Sequence, residues 1–213
     1  MILPKLLVAT RSVGKKGEIR SILGHLPYEI VFPDEVGIYE SPTELSLETA
    51  DTFEGNALKK AEYFQKKSRM PTVAEDSGIE VFTLGGAPGV HSRRFALASP
   101  GEKEDEANNR ELLRRLAGAT PNRRTARYRC VAVFIKQLGA IPQVFEGSCT
   151  GRIGTEPHGT GGFGYDPLFY SDDLQKTFGE ATPEEKHAVS HRGRAFQAFV
   201  EWLEANPLTL QGG

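Results

Sequence analysis

The sequence predicts an α/β fold: a long mixed central sheet flanked by helices, in two lobes with a cleft between them. Three observations carry this. Strand-like and helix-like segments alternate along the N-terminal part. Two long, well-alternating strands, "TARYRCVAVFIK" and "QVFEGSCTGRI", follow and pair as a hairpin across "QLGAIP". No internal repeat or low-complexity linker interrupts the 213 residues, so 1–213 is read as a single two-lobed domain with enough chain for a real core.

The elements follow in order. Lys5–Thr10 reads as a first buried strand, and Lys15–Leu26 as a helix with Ile19, Ile22, Leu23 and Leu26 on one face. Tyr28–Phe32 reads as a second strand, followed by a polar, acidic loop from Pro33 to about Leu47. Phe53, Ala57, Ala61 and Phe64 recur at helical spacing and predict a helix over Thr52–Lys67. "PTVAEDSG" and "IEVF" read as two separate short strands. Glu104–Leu116 is an amphipathic helix with Gly118 beyond its end, and Ser190–Ala205 is a C-terminal helix capped by Ser190.

Composition narrows the function classes. A formal net charge of -2 lacks the basic excess of a general nucleic-acid or anionic-membrane binder, so neither partner is expected. No apolar run approaches the roughly 18 residues of a membrane span. The opening "MILPKLLVATRSVGK" is too short in its apolar run for a leader, is interrupted by Lys5, and has no small-residue cleavage site after it. Cys130 and Cys149 form no CxxC pair and lie in strand-like runs, which reads as two buried thiols in a reducing cytoplasm.

Five segments bear chemistry. In "ATRSVGKKGE" a strand gives way to a helix start, where unpaired N–H groups and the dipole suit a phosphate; Thr10, Ser12 and Lys15 add donors, although the Walker spacing is absent. In "AEDSG" two acids, Glu75 and Asp76, close an apolar strand, a placement suited to Mg²⁺ or to a general base. In "ETADTFEGNALKK", Glu48 precedes a helix on which Lys59 and Lys60 point in different directions, so at most one reaches a site. "LGGAPGVHSRRF" is a tight loop followed by two arginines. In "HGTGGFGYDPLFY", Phe163 and Tyr165 offer a stacking face, and "EEKHAVSHRGRAF" beyond it supplies donors at Lys186, His191 and Arg192. Each segment alone is compatible with an ordinary turn, cap or solvated face. Together, phosphate donors, paired acids and an aromatic with polar donors describe a nucleoside triphosphate site.

The chain resembles the inosine triphosphate pyrophosphatase (Ham1-like) family. The resemblance rests on "LLVATRSVGK", "TFEGNALKKA", "AEDSGIEVFTLGGAPGVHSRRF", "GTGGFGYDPLF" and "EEKHAVSHRGRAF", in the family's order and over nearly the whole chain. It implies a nucleotide-binding cleft between two α/β lobes, a homodimer, and Mg²⁺-dependent hydrolysis of ITP, dITP or XTP to the monophosphate and pyrophosphate. That reaction clears deaminated purines from the nucleotide pool.

By position, the resemblance implies Asp76 as catalytic acid–base residue and metal ligand, Glu48 as second metal carboxylate, and Glu75 as a further acid. It assigns Thr10, Arg11, Ser12, Val13, Gly14 and Lys15 to the phosphate turn, Lys60 to the cleft, and Ser77 to a substrate contact. Phe163, Gly164, Tyr165 and Asp166 form the base loop, and Lys186, His191 and Arg192 read the purine. Lys15 and Lys60 are expected to stabilise charge on the phosphate oxygens. The chain departs from the family pattern at Ser12, where Asn is common, and at Gly55-Asn56, where Glu-Asn is common. A Maf-type pyrophosphatase acting on pyrimidine or modified nucleotides, and a non-catalytic nucleotide-binding regulator, are the competing readings. "SHRG" argues against the first and the acids at Glu48 and Asp76 against the second.

Overall fold

The computed structural model describes residues 3–209. Six strands form one mixed sheet in the order β2-β1-β3-β4-β5-β6. They are β1 Lys5–Val8, β2 Glu29–Val31, β3 Thr72–Val81, β4 Thr125–Ile135, β5 Gln143–Ile153 and β6 Phe169–Ser171. β1 pairs in parallel with both β2 and β3, with Leu7 opposite Val31 and Thr72, while β5 and β6 run antiparallel. The helices are α1 Val13–Leu23, α2 Phe53–Ser68, α3 Glu104–Arg115, α4 Pro183–Val189 and α5 His191–Ala205.

The described chain divides into two compact units. The first takes the chain up to Asp76, Cys130–Glu146, and everything from Arg194 onward; the second takes Ser77–Arg129 and Gly147–Gly193. Each has its own apolar core. In the first, Leu6 and Val8 of β1, Ile19 and Leu23 of α1, and Phe196 and Phe199 of α5 are buried together. In the second, Ile79, Leu112, Tyr128, Phe169 and Phe178 form the cluster. Burying one such side chain contributes about 1.5–3 kcal/mol. Cys130 and Cys149 are buried free thiols.

The local signals act as expected in α2. Thr52 caps it by accepting the Gly55 N–H at 3.0 Å, and Phe53, Ala57, Ala61 and Phe64 are all buried. Two sequence expectations need correction. The stretch expected to be a plain loop after Pro33 contains two 3₁₀ helices, Pro33–Val36 and Pro42–Glu48. Three of its acids pair with bases of α1 and the turn before it: Asp34 with Lys16, Glu35 with Arg20 and Glu44 with Arg11. The two short strands "PTVAEDSG" and "IEVF" are a single strand, β3. Gly78 does not break it. A Cβ there would stand 2.3 Å from Ser92 Oγ and 2.4 Å from the Gly89 carbonyl, so glycine lets the Gly89–Arg94 turn lie against the strand.

Candidate active site

The first unit holds a cluster of paired charges. Asp76 lies on β3 and is buried. Its Oδ1 accepts from Lys60 Nζ at 2.8 Å, and the same ammonium donates to Glu48 Oε1 at 3.0 Å. Lys60 is buried on α2 and reaches β3 because its position faces inward with Ala57, Ala61 and Phe64. Burial alone would lower its pKa, yet the charges of Asp76, Glu48 and Glu75 outweigh that and hold it above the ordinary lysine value. Lys59, its neighbour, points elsewhere and donates to Thr49 Oγ1 from an exposed position. Glu75 is buried and pairs with Lys15 Nζ at 2.8 Å.

Asn56 completes the cluster, and the sequence reading gave it no role. Its Nδ2 donates to Asp76 Oδ2 at 3.1 Å and its Oδ1 accepts the Ala50 N–H at 2.8 Å. Both oxygens of Asp76 are therefore held from one helix face. The signal was available: Asn56 stands four residues before Lys60, one turn away on the same face.

The turn before α1 behaves unevenly. Ser12 is the N-cap, its side chain accepting the Lys15 N–H, and Thr10 Oγ1 accepts the Ser12 N–H at 3.2 Å. Val13 opens the helix with its side chain in solvent, 85% exposed, and Gly14 follows it in the first turn. Arg11 is committed locally, donating through Nε and Nη2 to both oxygens of Glu44 at 3.0 and 2.8 Å.

The second unit holds a cluster of a different kind. Asp166 is buried and receives Lys186 Nζ at 2.5 Å and the Phe163 N–H at 2.8 Å on Oδ2, with the Tyr128 hydroxyl 3.4 Å from Oδ1. Burial first, and then the charge of Asp166, raise the Tyr128 pKa well above its ordinary value, so Tyr128 stays a neutral donor. The Tyr128 ring stacks on His191 at 4.5 Å between centroids. Arg192 Nη2 donates to Ser77 Oγ at 2.9 Å. Phe163 is half-buried, with Lys186 Nζ 4.9 Å and Arg192 Cζ 5.7 Å from its ring centre. Gly162 makes this compact: its φ is +72°, and a Cβ there would meet Asp166 Oδ2 at 2.1 Å. Tyr165 turns inward. It is buried, and its hydroxyl donates to the Ser92 carbonyl at 2.8 Å.

Comparison with known proteins gives these clusters a context. The Ham1 family model matches residues 6–202. The chain belongs to the Ham1 family. The dITP/XTP pyrophosphatase of Desulforamulus reducens is 44% identical over 200 residues, covering 93% of this chain and 95% of the relative. That of Escherichia coli K12 is 39% identical over 93% and 98% of the two chains. Among solved structures, the Ham1 protein of Coxiella burnetii superposes with a TM-score of 0.82 at 31% identity, covering 95% of this chain and 100% of that one. The Staphylococcus aureus Ham1 protein gives 0.79 at 32% identity, over 95% and 99%. Against the Ham1 pattern stated above, the Gly55 departure has a local cause. A Cβ at Gly55 would come within 2.8 Å of Ala50 Cβ and 3.1 Å of Thr52 Oγ1, because the turn before α2 folds closely over it.

Among the described residues, no three His, Cys, Asp or Glu side chains gather into a metal cage. The donors present are carboxylate oxygens, Glu48, Glu75 and Asp76, against the ammonium groups of Lys15 and Lys60. Three negative charges against two positive leave one negative charge among the named groups. That set fits Mg²⁺, which takes one or two carboxylates, substrate phosphate oxygens and water.

Proposed function

We propose that this chain hydrolyses deaminated purine nucleoside triphosphates (dITP, ITP and XTP) to the monophosphate and pyrophosphate, clearing them from the nucleotide pool. The observation that carries the reading is the Asp76 carboxylate held at both oxygens, by Lys60 and Asn56, with Glu48 on the same ammonium. Close relatives named dITP/XTP pyrophosphatases support the substrate class.

The roles follow from the chemistry. Glu48 and Asp76 would hold a Mg²⁺ ion, which when bound would supply charge neutralisation to the triphosphate. Asp76 takes a proton from water as the water oxygen bonds to the α-phosphorus; the bond from that phosphorus to the bridging oxygen breaks, and pyrophosphate carries the electron pair away. Lys60 and Lys15 offset charge on the phosphate oxygens. Thr10, Ser12, Val13 and Gly14 present the start of α1 to phosphate, with Arg11 fixing that turn through Glu44. Phe163 stacks on the base, Gly164 and Asp166 shape its loop, Tyr165 anchors it, and Ser77 orients Arg192. Lys186, His191 and Arg192 present donors to the 6-oxo group of hypoxanthine or xanthine. Adenine carries a 6-amino donor there and would leave them unmatched, a mismatch worth up to about 10⁴-fold.

The test is turnover of dITP, XTP, ATP and dTTP with Mg²⁺, with pyrophosphate and orthophosphate assayed separately. Pyrophosphate from dITP and XTP with little ATP turnover is expected. Orthophosphate as the primary product overturns attack at the α-phosphorus, and faster dTTP turnover favours a pyrimidine-directed enzyme. Chelation with EDTA should abolish turnover and added Mg²⁺ restore it. The reading includes a cytoplasmic homodimer. The buried free thiols suit a reducing compartment, and among the described residues no helix is long and apolar enough to cross a membrane. Light scattering after gel filtration tests the dimer.

A further inference from the structure

One helix of the second unit takes no part in the assignments above, yet it grips the base loop from outside. Asp105 and Asn109 stand four residues apart on α3, one turn from each other on one face. Asp105 Oδ2 accepts the Gly164 N–H at 2.7 Å, and Asn109 Nδ2 donates to the Gly164 carbonyl at 3.0 Å. Both backbone polar groups of a single residue are thus bound by two side chains of one rigid element. Gly164 has φ +64°, the left-handed region, and immediately follows Phe163. The Phe163 N–H is bound by Asp166 Oδ2, and its carbonyl accepts the Asp166 N–H at 3.3 Å. The backbone on both sides of the ring therefore has fixed partners, inward at Asp166 and outward at α3.

Two further features make α3 a firm support. Asn108, buried beside them, accepts the Ala96 N–H at 2.9 Å and donates to the Arg93 carbonyl at 3.0 Å, tying α3 to the preceding segment. The Asn109 amide is also turned so that its NH₂ meets Gly164, although this leaves its buried Oδ1 without a hydrogen-bond partner.

We infer that Asp105 and Asn109 are positioning residues for base binding: they lock the Gly164 peptide groups and so pre-set the Phe163 ring for a 6-oxopurine. This rests on Phe163 being the stacking residue. A pre-set ring saves ordering cost when the ligand binds, so the effect belongs in KM rather than kcat.

The test is a set of double-mutant cycles with dITP. Asn109→Ala and Asp105→Ala should each raise KM about fivefold to tenfold with kcat within twofold, through the loss of stacking geometry. Asp105→Asn keeps an acceptor for the Gly164 N–H and should restore KM to within about twofold of the parent, whereas a role in helix stability through the α3 dipole would not be rescued. In a Phe163→Ala background the Asn109→Ala effect should vanish, because nothing remains to be positioned. Thermal unfolding of each variant separates misfolding from misplacement. If Phe163→Ala raises KM but Asn109→Ala does not, or if the two effects multiply, the positioning role is overturned. If Phe163→Ala itself leaves KM unchanged, the stacking reading fails and the inference falls with it.

Discussion

The charged cluster of the first unit and the aromatic cluster of the second are built on opposite principles. Around Asp76, the named cations are matched by carboxylates, Lys60 by Glu48 and Asp76 and Lys15 by Glu75. The surplus there is negative. Around Phe163, two cations lie over a half-buried ring, and one of them, Lys186, pairs with the Asp166 carboxylate. The first arrangement suits a polyanion that brings a divalent cation with it. The second suits a flat, uncharged group that accepts hydrogen bonds. On the proposed function, charge in one place and shape in the other would divide the labour of recognising a nucleotide, and substitutions should then split kcat from KM according to which cluster they touch.

The largest split is expected at Asp76. Asp76→Asn keeps the shape and the contact with Asn56 but removes the base. It should lower kcat by about 10²–10⁴-fold, measured as pyrophosphate release, with dITP KM within a few-fold of the parent. A kcat within tenfold of the parent would mean that another group takes the proton.

Next comes the bridge. Lys60→Met leaves Glu48 and Asp76 without their shared ammonium, and removing one partner of a buried pair costs about 3–5 kcal/mol, here toward the lower end because Glu48 is 30% exposed. The pH dependence has a definite sign. The folded-state pKa of Lys60 lies above the ordinary lysine value of 10.5, so its stabilisation is fully present below that pH and is lost only as pH rises through the higher folded value. Urea unfolding should show a parent-to-variant gap that is flat from neutral pH up to 10.5 and shrinks above it. A gap already closing near neutrality would contradict the raised pKa.

At the aromatic cluster the effect is smaller and falls on the other parameter. Phe163→Ala should raise dITP KM about tenfold, the range for losing one stacked base, with kcat nearly unchanged. A fall in kcat without a KM change would join the two clusters and end the division of labour.

These sites differ in how far the sequence discloses them. α2 was legible because its N-cap and its apolar positions, Thr52 and Phe53 to Phe64, are local signals that a helix must satisfy. β3 was not, because Ser77-Gly78 reads as punctuation until the Gly89–Arg94 turn is known to lie against it. Asp76 stands out as an acid closing an apolar strand, while the metal role of Glu48 and the choice of Lys60 over its equally charged neighbour Lys59 come only from the family resemblance. Asn56 and Asn109 do not stand out, since a neutral amide on a polar helix looks like solvated surface until its partner, Asp76 or Gly164, arrives from far along the chain. Arg11 enters the phosphate turn through the resemblance alone, and its long-range partner, Glu44, is equally silent in the sequence because it lies 33 residues further on.

The smallest expected effect is the sharpest control on the comparison. Lys59 and Lys60 are adjacent, carry the same charge and sit on the same helix, so a general electrostatic contribution of α2 to phosphate binding would implicate both. The structure separates them by direction: Lys60 is buried against two carboxylates, while Lys59 donates to Thr49 Oγ1 from an exposed position. An exposed substitution of this kind changes stability by no more than about 0.5 kcal/mol. Lys59→Ala should therefore leave kcat and KM for dITP within about twofold of the parent even at low ionic strength, where screening is weakest and a long-range field would show itself. A salt-dependent loss in Lys59→Ala comparable to that of Lys60→Met would show that the helix acts as a diffuse positive surface, and that the pairing at Asp76 is not what sets the chemistry.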